Sequence, residues 1–218
     1  MLAAARHRLH DLTLGALQRL PGHRVVWHGP RDRKRVALTF DDGPDELTPR
    51  YLDLLDRLGV PATFFLMGDL SEQRPAARAE YLRRGHQLGG HGYDHRRLTA
   101  LGRGELREQL TRTARALGPV PQGRLWVRPP YGAMGPRELV AMLAAGHVVA
   151  MWSFDSHDHE ARTPEQIVAR CAPEHVSPGD VLLFHESQEV TLAALPRVVE
   201  GLRAAGYELV TMADLVAT

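Results

Sequence analysis

Apolar positions along the chain alternate between two periods. Val36-Ala37-Leu38-Thr39-Phe40 is a short apolar run with β-branched and aromatic residues, which predicts a buried strand over about 35–41. Leu47, Tyr51, Leu52, Leu54, Leu55 and Leu58 then recur at helical spacing, with Thr48-Pro49 to start the helix and Gly59 to end it. The exchange of strand for helix continues with a strand at 62–67, a helix at 74–84, a strand at 87–90 and a helix at 103–117. A strand at 125–128 and a helix at 135–145 follow. His147 to Asp155 reads as one apolar strand, and a helix at 164–173 comes next. Val181 to Phe184 forms a strand ending at His185, before a helix at 190–205 and a closing strand over 208–212.

About seven such units imply βαβ connections and a parallel sheet. That number favours a (β/α) barrel, closed or incomplete, over an open doubly wound sheet. The chain has no Gly-rich dinucleotide fingerprint after its first strand and no Gly-Lys-Ser/Thr phosphate loop. Residues 23–218 read as one domain. Ahead of it, Leu2, Leu9, Leu12, Leu17 and Leu20 are interleaved with Arg6, His7, Arg8, His10 and Arg19. This predicts an N-terminal amphipathic helix within residues 1–22, packed on the domain, with peripheral contact to a membrane surface as the alternative. The stretch lacks the unbroken apolar core of a signal peptide, so the chain as written reads as cytoplasmic. An export signal upstream of a misassigned start would place it in the cell envelope instead.

Composition narrows the chemistry. Of 218 residues 44% are apolar and 24% charged, which is ordinary for a globular protein. A net charge of +1 supplies no field that would gather nucleic acid. A single cysteine, Cys171, excludes an intrachain disulfide and a cysteine-based zinc site. Twelve histidines point the other way, to a metal held by imidazole and carboxylate.

The polar groups of that kind stand at strand ends. Asp41-Asp42-Gly43-Pro44 closes the first strand with two adjacent carboxylates, which repel each other unless a cation shares them. Gly89-Gly90-His91-Gly92-Tyr93-Asp94-His95 closes another, and two histidines four apart meet on one side of a helical turn, as zinc proteins often present them. One carboxylate oxygen and two imidazoles leave a coordination position open for water, the arrangement of a catalytic site. Arg128 precedes the rigid turn Pro129-Pro130-Tyr131-Gly132, Asp155 and Asp158 follow Met151-Trp152-Ser153-Phe154, and His185 ends Val181–Phe184. Singly, these groups read as a surface ion pair, turn caps and a core histidine. Five successive strand ends bearing them together point to a metal hydrolase. A haloacid-dehalogenase-type phosphatase also begins with aspartates after a strand, but it needs Asp-x-Asp, and here the acids are adjacent.

In this order the motifs resemble the five signatures of the polysaccharide deacetylase family, the NodB-homology domain of family 4 carbohydrate esterases. The resemblance covers about residues 35–187 and implies a distorted, incomplete (β/α) barrel. It implies that Asp42, His91 and His95 hold one divalent metal ion, usually Zn2+ and in some members another transition metal. It further implies that Asp41 is the general base, held by Arg128, and that the backbone N–H of Tyr131 helps to stabilise an oxyanion. His185 would protonate the leaving amine, oriented by Asp158 in preference to Asp155. Leu183 would line the acyl pocket, with Trp152 and Asp155 as further substrate-binding candidates. The implied substrate is an N-acetylated glycan, chitin-like or peptidoglycan. The alternatives are a deformylase or deacetylase of a small or lipid-linked amino sugar and a non-catalytic glycan-binding protein. Two positions depart from the family pattern. Gly92 replaces a small hydroxyl residue, which is expected to loosen support of His91, and His159 replaces a tryptophan that helps shape the acyl pocket. Neither removes a ligand, the base or the acid, so catalysis is expected to survive.

Overall fold

The computed structural model describes residues 24–217, so the amphipathic helix expected within 1–22 lies outside the described residues. The strands are Val25–Val26 (β1), Arg35–Gly43 (β2), Thr63–Leu66 (β3), Gln87–Gly90 (β4), Trp126–Val127 (β5), Val148–Ala150 (β6), Phe154–Asp155 (β7), Val181–His185 (β8) and Glu208–Val210 (β9). The α-helices are Thr48–Leu58 (α1), Gly68–Gln73 (α2), Pro75–Arg83 (α3), Arg103–Leu117 (α4), Pro136–Ala144 (α5), Pro164–Arg170 (α6), Glu189–Ala204 (α7) and Met212–Val216 (α8). Every strand pair is parallel, in the order β1-β6-β5-β4-β3-β2-β8-β7, and β9 lies beside the start of β2. The result is a curled, incomplete (β/α) barrel, as the strand–helix rhythm implies.

The single strand expected over 147–155 is in fact two, and they lie near opposite ends of the strand order. Residues 151–153 cross the gap between the sheet's edges. The Met151 N–H donates to the Val26 carbonyl beside β6, whereas the Ser153 N–H donates to Val181 of β8. An apolar run cannot reveal such a break, because its residues are buried on both sides of the gap.

Period-two alternation divides the fold into two cores. Val36, Leu38 and Phe40 of β2 face outward, and with Phe64, Leu66, Leu182 and Phe184 they pack against helix residues such as Tyr51, Leu55, Leu195 and Val198. Ala37, Phe65, Trp126, Val148, Ala150 and Val181 form the inner core. The short helix α8, which the sequence pattern does not announce, plugs that inner core with Met212, Leu215 and Val216. Its free N-terminal amides are met by buried strand side chains: the Met212 N–H donates to Thr63 Oγ1 (2.9 Å) and the Ala213 N–H to Gln87 Oε1 (2.8 Å). The opposite mouth, at the carboxyl ends of the strands, is left for polar chemistry.

Candidate active site

Alternation sends Thr39 and Asp41 of β2 inward, and it would send Asp42 outward into the helix layer. The backbone prevents that. The pairing of β2 with β3 shifts register between Asp41 and Gly43, and Asp42 adopts a left-handed φ of 72°. Both carboxylates therefore face the mouth. A Cβ on the next residue, Gly43, would stand 1.9 Å from Glu186 Oε2, so any larger residue there would have to displace that buried carboxyl.

The two histidines meet there by a different route from the helical turn expected. Residues 91–95 form a loop bent at Gly92 (φ 74°) and His95 (φ 58°). Gln109 of α4 pins it, accepting from the Tyr93 N–H (2.9 Å) and donating to Asp94 Oδ1 (2.8 Å). A Cβ on Gly92 would lie 3.0 Å from Pro130 Cγ. His91 is held all the same, because its Nδ1–H donates to the Arg128 carbonyl (2.9 Å). That bond directs Nε2 toward the carboxylates, 3.6 Å from Asp42 Oδ1 and 3.7 Å from Asp41 Oδ2. His95 Nε2 stands 3.2 Å from the same Asp42 oxygen, and its Nδ1 meets the Tyr131 hydroxyl at 3.2 Å.

These three groups fit a divalent cation. Asp42 Oδ1 is buried without a hydrogen-bond partner among the described residues. It is flanked by two imidazole nitrogens, and the ligand atoms of Asp42, His91 and His95 lie within 4.8 Å of one another. Burial pushes His91 below its ordinary value, against the pull of Asp41 and Asp42, and so toward the neutral form a metal requires. Burial raises Asp42, but the contact with His95 and the neighbouring histidine charges outweigh it and leave the carboxyl at about 2.

Arg128 is wholly buried. Its Nη1 donates to Asp41 Oδ1 (2.7 Å) and Thr39 Oγ1 (2.9 Å), its Nη2 donates to the Met151 carbonyl (2.8 Å), and its guanidinium stacks 4.1 Å from the Phe65 ring centroid. The guanidinium thus fixes one oxygen of Asp41 and seals the break between β6 and β7. Asp41 is the register partner of His185 on β8. His185 Nδ1–H donates to Asp158 Oδ1 (2.7 Å), while Asp158 Oδ2 accepts from the His185 N–H and from Thr191 Oγ1, both at 2.7 Å. Burial alone would lower the imidazole, yet the hydrogen bond and charge of Asp158, with Asp41 and Asp42 adding, push it up to about 9.

Tyr131 sits in a left-handed conformation (φ 60°), and its N–H has no hydrogen-bond acceptor among the described residues. Its ring is exposed, with the Arg97 guanidinium 4.5 Å away. Leu183 points inward from β8, and Trp152 borders the same side near Arg128 (5.6 Å) and Gly132. Asp155 is the register partner of Leu183, and its Oδ1 accepts from the His157 N–H (2.9 Å) and caps the turn leading to Asp158. Sequence reasoning missed Thr39 and Thr191. The alternation that places Asp41 also places Thr39, so the signal was present. Thr191 lies on a helix far along the chain, and nothing local marks it.

Residues 28–139 match the family model described as Polysaccharide deacetylase. Over 190 residues the chain is 35% identical to the peptidoglycan-N-acetylglucosamine deacetylase PgdA of Listeria monocytogenes, covering 85% of this chain and 39% of that protein. It thus spans about two fifths of that relative's length. Among solved structures, the Bc1960 peptidoglycan N-acetylglucosamine deacetylase superposes with a TM-score of 0.83 at 30% identity, over 88% of this chain and 92% of that one. A CE4 family pseudoenzyme from Bacillus anthracis superposes with a TM-score of 0.81 at 25% identity, over 88% and 69%. The motif residues converge on one mouth and the family model spans more than half of the sequence, so the chain belongs to the polysaccharide deacetylase family, carbohydrate esterase family 4.

Proposed function

We propose that the chain is a metal-dependent deacetylase that removes N-acetyl groups from amino sugars of a glycan, peptidoglycan or chitin-like, with Zn2+ as its cation. A pseudoenzyme shares the fold, so the fold alone does not carry this reading. One observation does: two proton-transfer groups, each held by a buried partner, stand on neighbouring strand ends beside the Asp42, His91 and His95 cluster. Two of the relatives named above, those of Listeria monocytogenes and Bc1960, are peptidoglycan N-acetylglucosamine deacetylases, which makes that polymer the first substrate to test.

Asp42, His91 and His95 would hold the cation, which supplies Lewis acidity and lowers the pKa of a bound water toward about 7. Asp41 keeps Oδ2 free of Arg128 and takes the proton of the attacking water. The Tyr131 N–H donates to the oxyanion that develops on the acyl oxygen. His185, held charged at neutral pH by Asp158, gives its proton to the amine nitrogen as the C–N bond breaks, which leaves acetate and a free amino sugar. Leu183 and Trp152 provide the apolar side for the acyl methyl. Asp155, the register partner of Leu183, caps the turn that presents Asp158 and is a further candidate for substrate contact.

The test is acyl release by zinc-reconstituted protein from N-acetylated and N-formylated amino sugars, each with a chelator-treated control. Chelator-sensitive acetate from glycan oligomers is the expected result. Formate from a small sugar would shift the substrate, and neither product from a metal-loaded chain would leave a binding protein.

A further inference from the structure

His159 occupies the position where the family commonly carries tryptophan, and it does not lie idle. Its ring stands edge-on to His185, with centroids 5.3 Å apart, and the His157 ring is 6.2 Å from it. Ligand atoms of Asp158, His159 and His185 all lie within 4.8 Å of one another, as do those of Asp42, His91 and His95.

We infer that Asp158, His159 and His185 form a second binding site for a zinc-like divalent cation, and that filling it switches the enzyme off. Two imidazoles and a carboxylate are the donor set Zn2+ favours, at about 2.0–2.2 Å per ligand. Two of the three are already placed. Asp158 is fully buried and fixed by two further donors, and its Oδ1 is 2.7 Å from His185 Nδ1. His159 is half exposed, and its only ionic contact among the described residues is Glu160 at 3.5 Å, so its imidazole can swing onto the cation. A tryptophan there could pack against His185 but could offer no lone pair. Asp158 Oδ1 faces Nδ1, so a cation shared with that carboxylate takes Nδ1 and displaces the proton between them. One proton leaves His185 as the metal–nitrogen bond forms, and the neutral imidazole that remains is no longer an imidazolium able to act as the acid. The site therefore senses excess metal with the proton donor itself.

The inhibitory half rests on the role proposed for His185, whereas the binding half does not. Equilibrium dialysis with Zn2+ alone reads the binding half, comparing the wild type with His159→Gln. The wild type is expected to take a second, weaker equivalent that His159→Gln lacks. Acetate release, normalised to each protein's activity with one equivalent, should fall about 100-fold in the wild type as the second fills, the scale of a lost general acid. In His159→Gln it should not fall. A wild type that stops at one equivalent, or a variant that keeps the second, overturns the site. Inhibition persisting in His159→Gln overturns the switch. A second equivalent that leaves activity untouched retains the site but rejects the role of His185.

Discussion

Replacing Asp158 by asparagine changes one charge and almost no volume, and the hydrogen bonds around the carboxylate decide its effect. All three partners donate to it: the His185 ring, the His185 amide and Thr191 Oγ1. An asparagine has a single acceptor oxygen. Turned toward the amide and Thr191, it presents its NH2 to His185 Nδ1, which must then accept, so the neutral ring is stabilised. The imidazole loses the carboxylate that holds it at about 9, and burial, which lowers it, is no longer opposed by that partner. A fall to the ordinary 6.5 is worth roughly 3.5 kcal/mol at about 1.4 kcal/mol per unit. At pH 7.5 the protonated fraction would drop from about 97% to about 9%, roughly a tenfold loss if only the imidazolium is the acid. A bound cation offsets the contributions of Asp41 and Asp42, so the limb of the loaded wild type lies below 9, but the difference between the two proteins is set by Asp158. The assay is kcat/KM for acetate release from pH 5.5 to 10 at fixed metal loading. The alkaline limb should move at least two units toward acid, with metal content unchanged. An alkaline limb that stays in place refutes the pairing as the source of the proton.

Other substitutions test the framework. Arg128→Met leaves Asp41 buried without its cation, so the metal-free protein should lose about 3–5 kcal/mol in urea unfolding, and a loss under 1 would contradict the buried pair. Thr191→Val removes one donor to the buried Asp158 carboxylate and should cost about 1 kcal/mol in urea unfolding, and an unchanged stability would contradict that bond. Met212→Ala hollows the plug beneath the barrel. It should cost about 2–5 kcal/mol without altering metal stoichiometry, and unchanged stability would mean the inner core does not depend on α8.

The sequence disclosed the strand–helix rhythm because each outer-facing strand residue and each helix stripe buries apolar surface against the other. It disclosed the ends of the strands because Asp41, His91, Arg128 and His185 interrupt that surface abruptly. What it concealed depends on backbone geometry and long-range closure. Period two alone puts Asp42 on the wrong face, and only the register shift and the left-handed φ bring it to the histidines. Spacing of four suggests a helical turn for His91 and His95, whereas Gly92 and the Gln109 side chain build a loop to the same end. The run 147–155 looks like one strand because apolar residues flank the break, whereas Met151 bonds to β1 and Ser153 to β8, near opposite ends of the strand order. Short elements such as β1 and α8 fall below any periodicity and are held by tertiary packing alone.

The most direct test of the central claim, that Asp41 takes a proton while Asp42 and the histidines hold the cation, is one paired measurement on Asp41→Asn. Metal content and acetate release are determined on the same preparation, beside the wild type. Expected is an undiminished single equivalent of metal with activity lowered about 100-fold or more, the scale of a lost general base. Full activity in the variant, or loss of the metal along with it, would contradict the division of labour between the two adjacent aspartates.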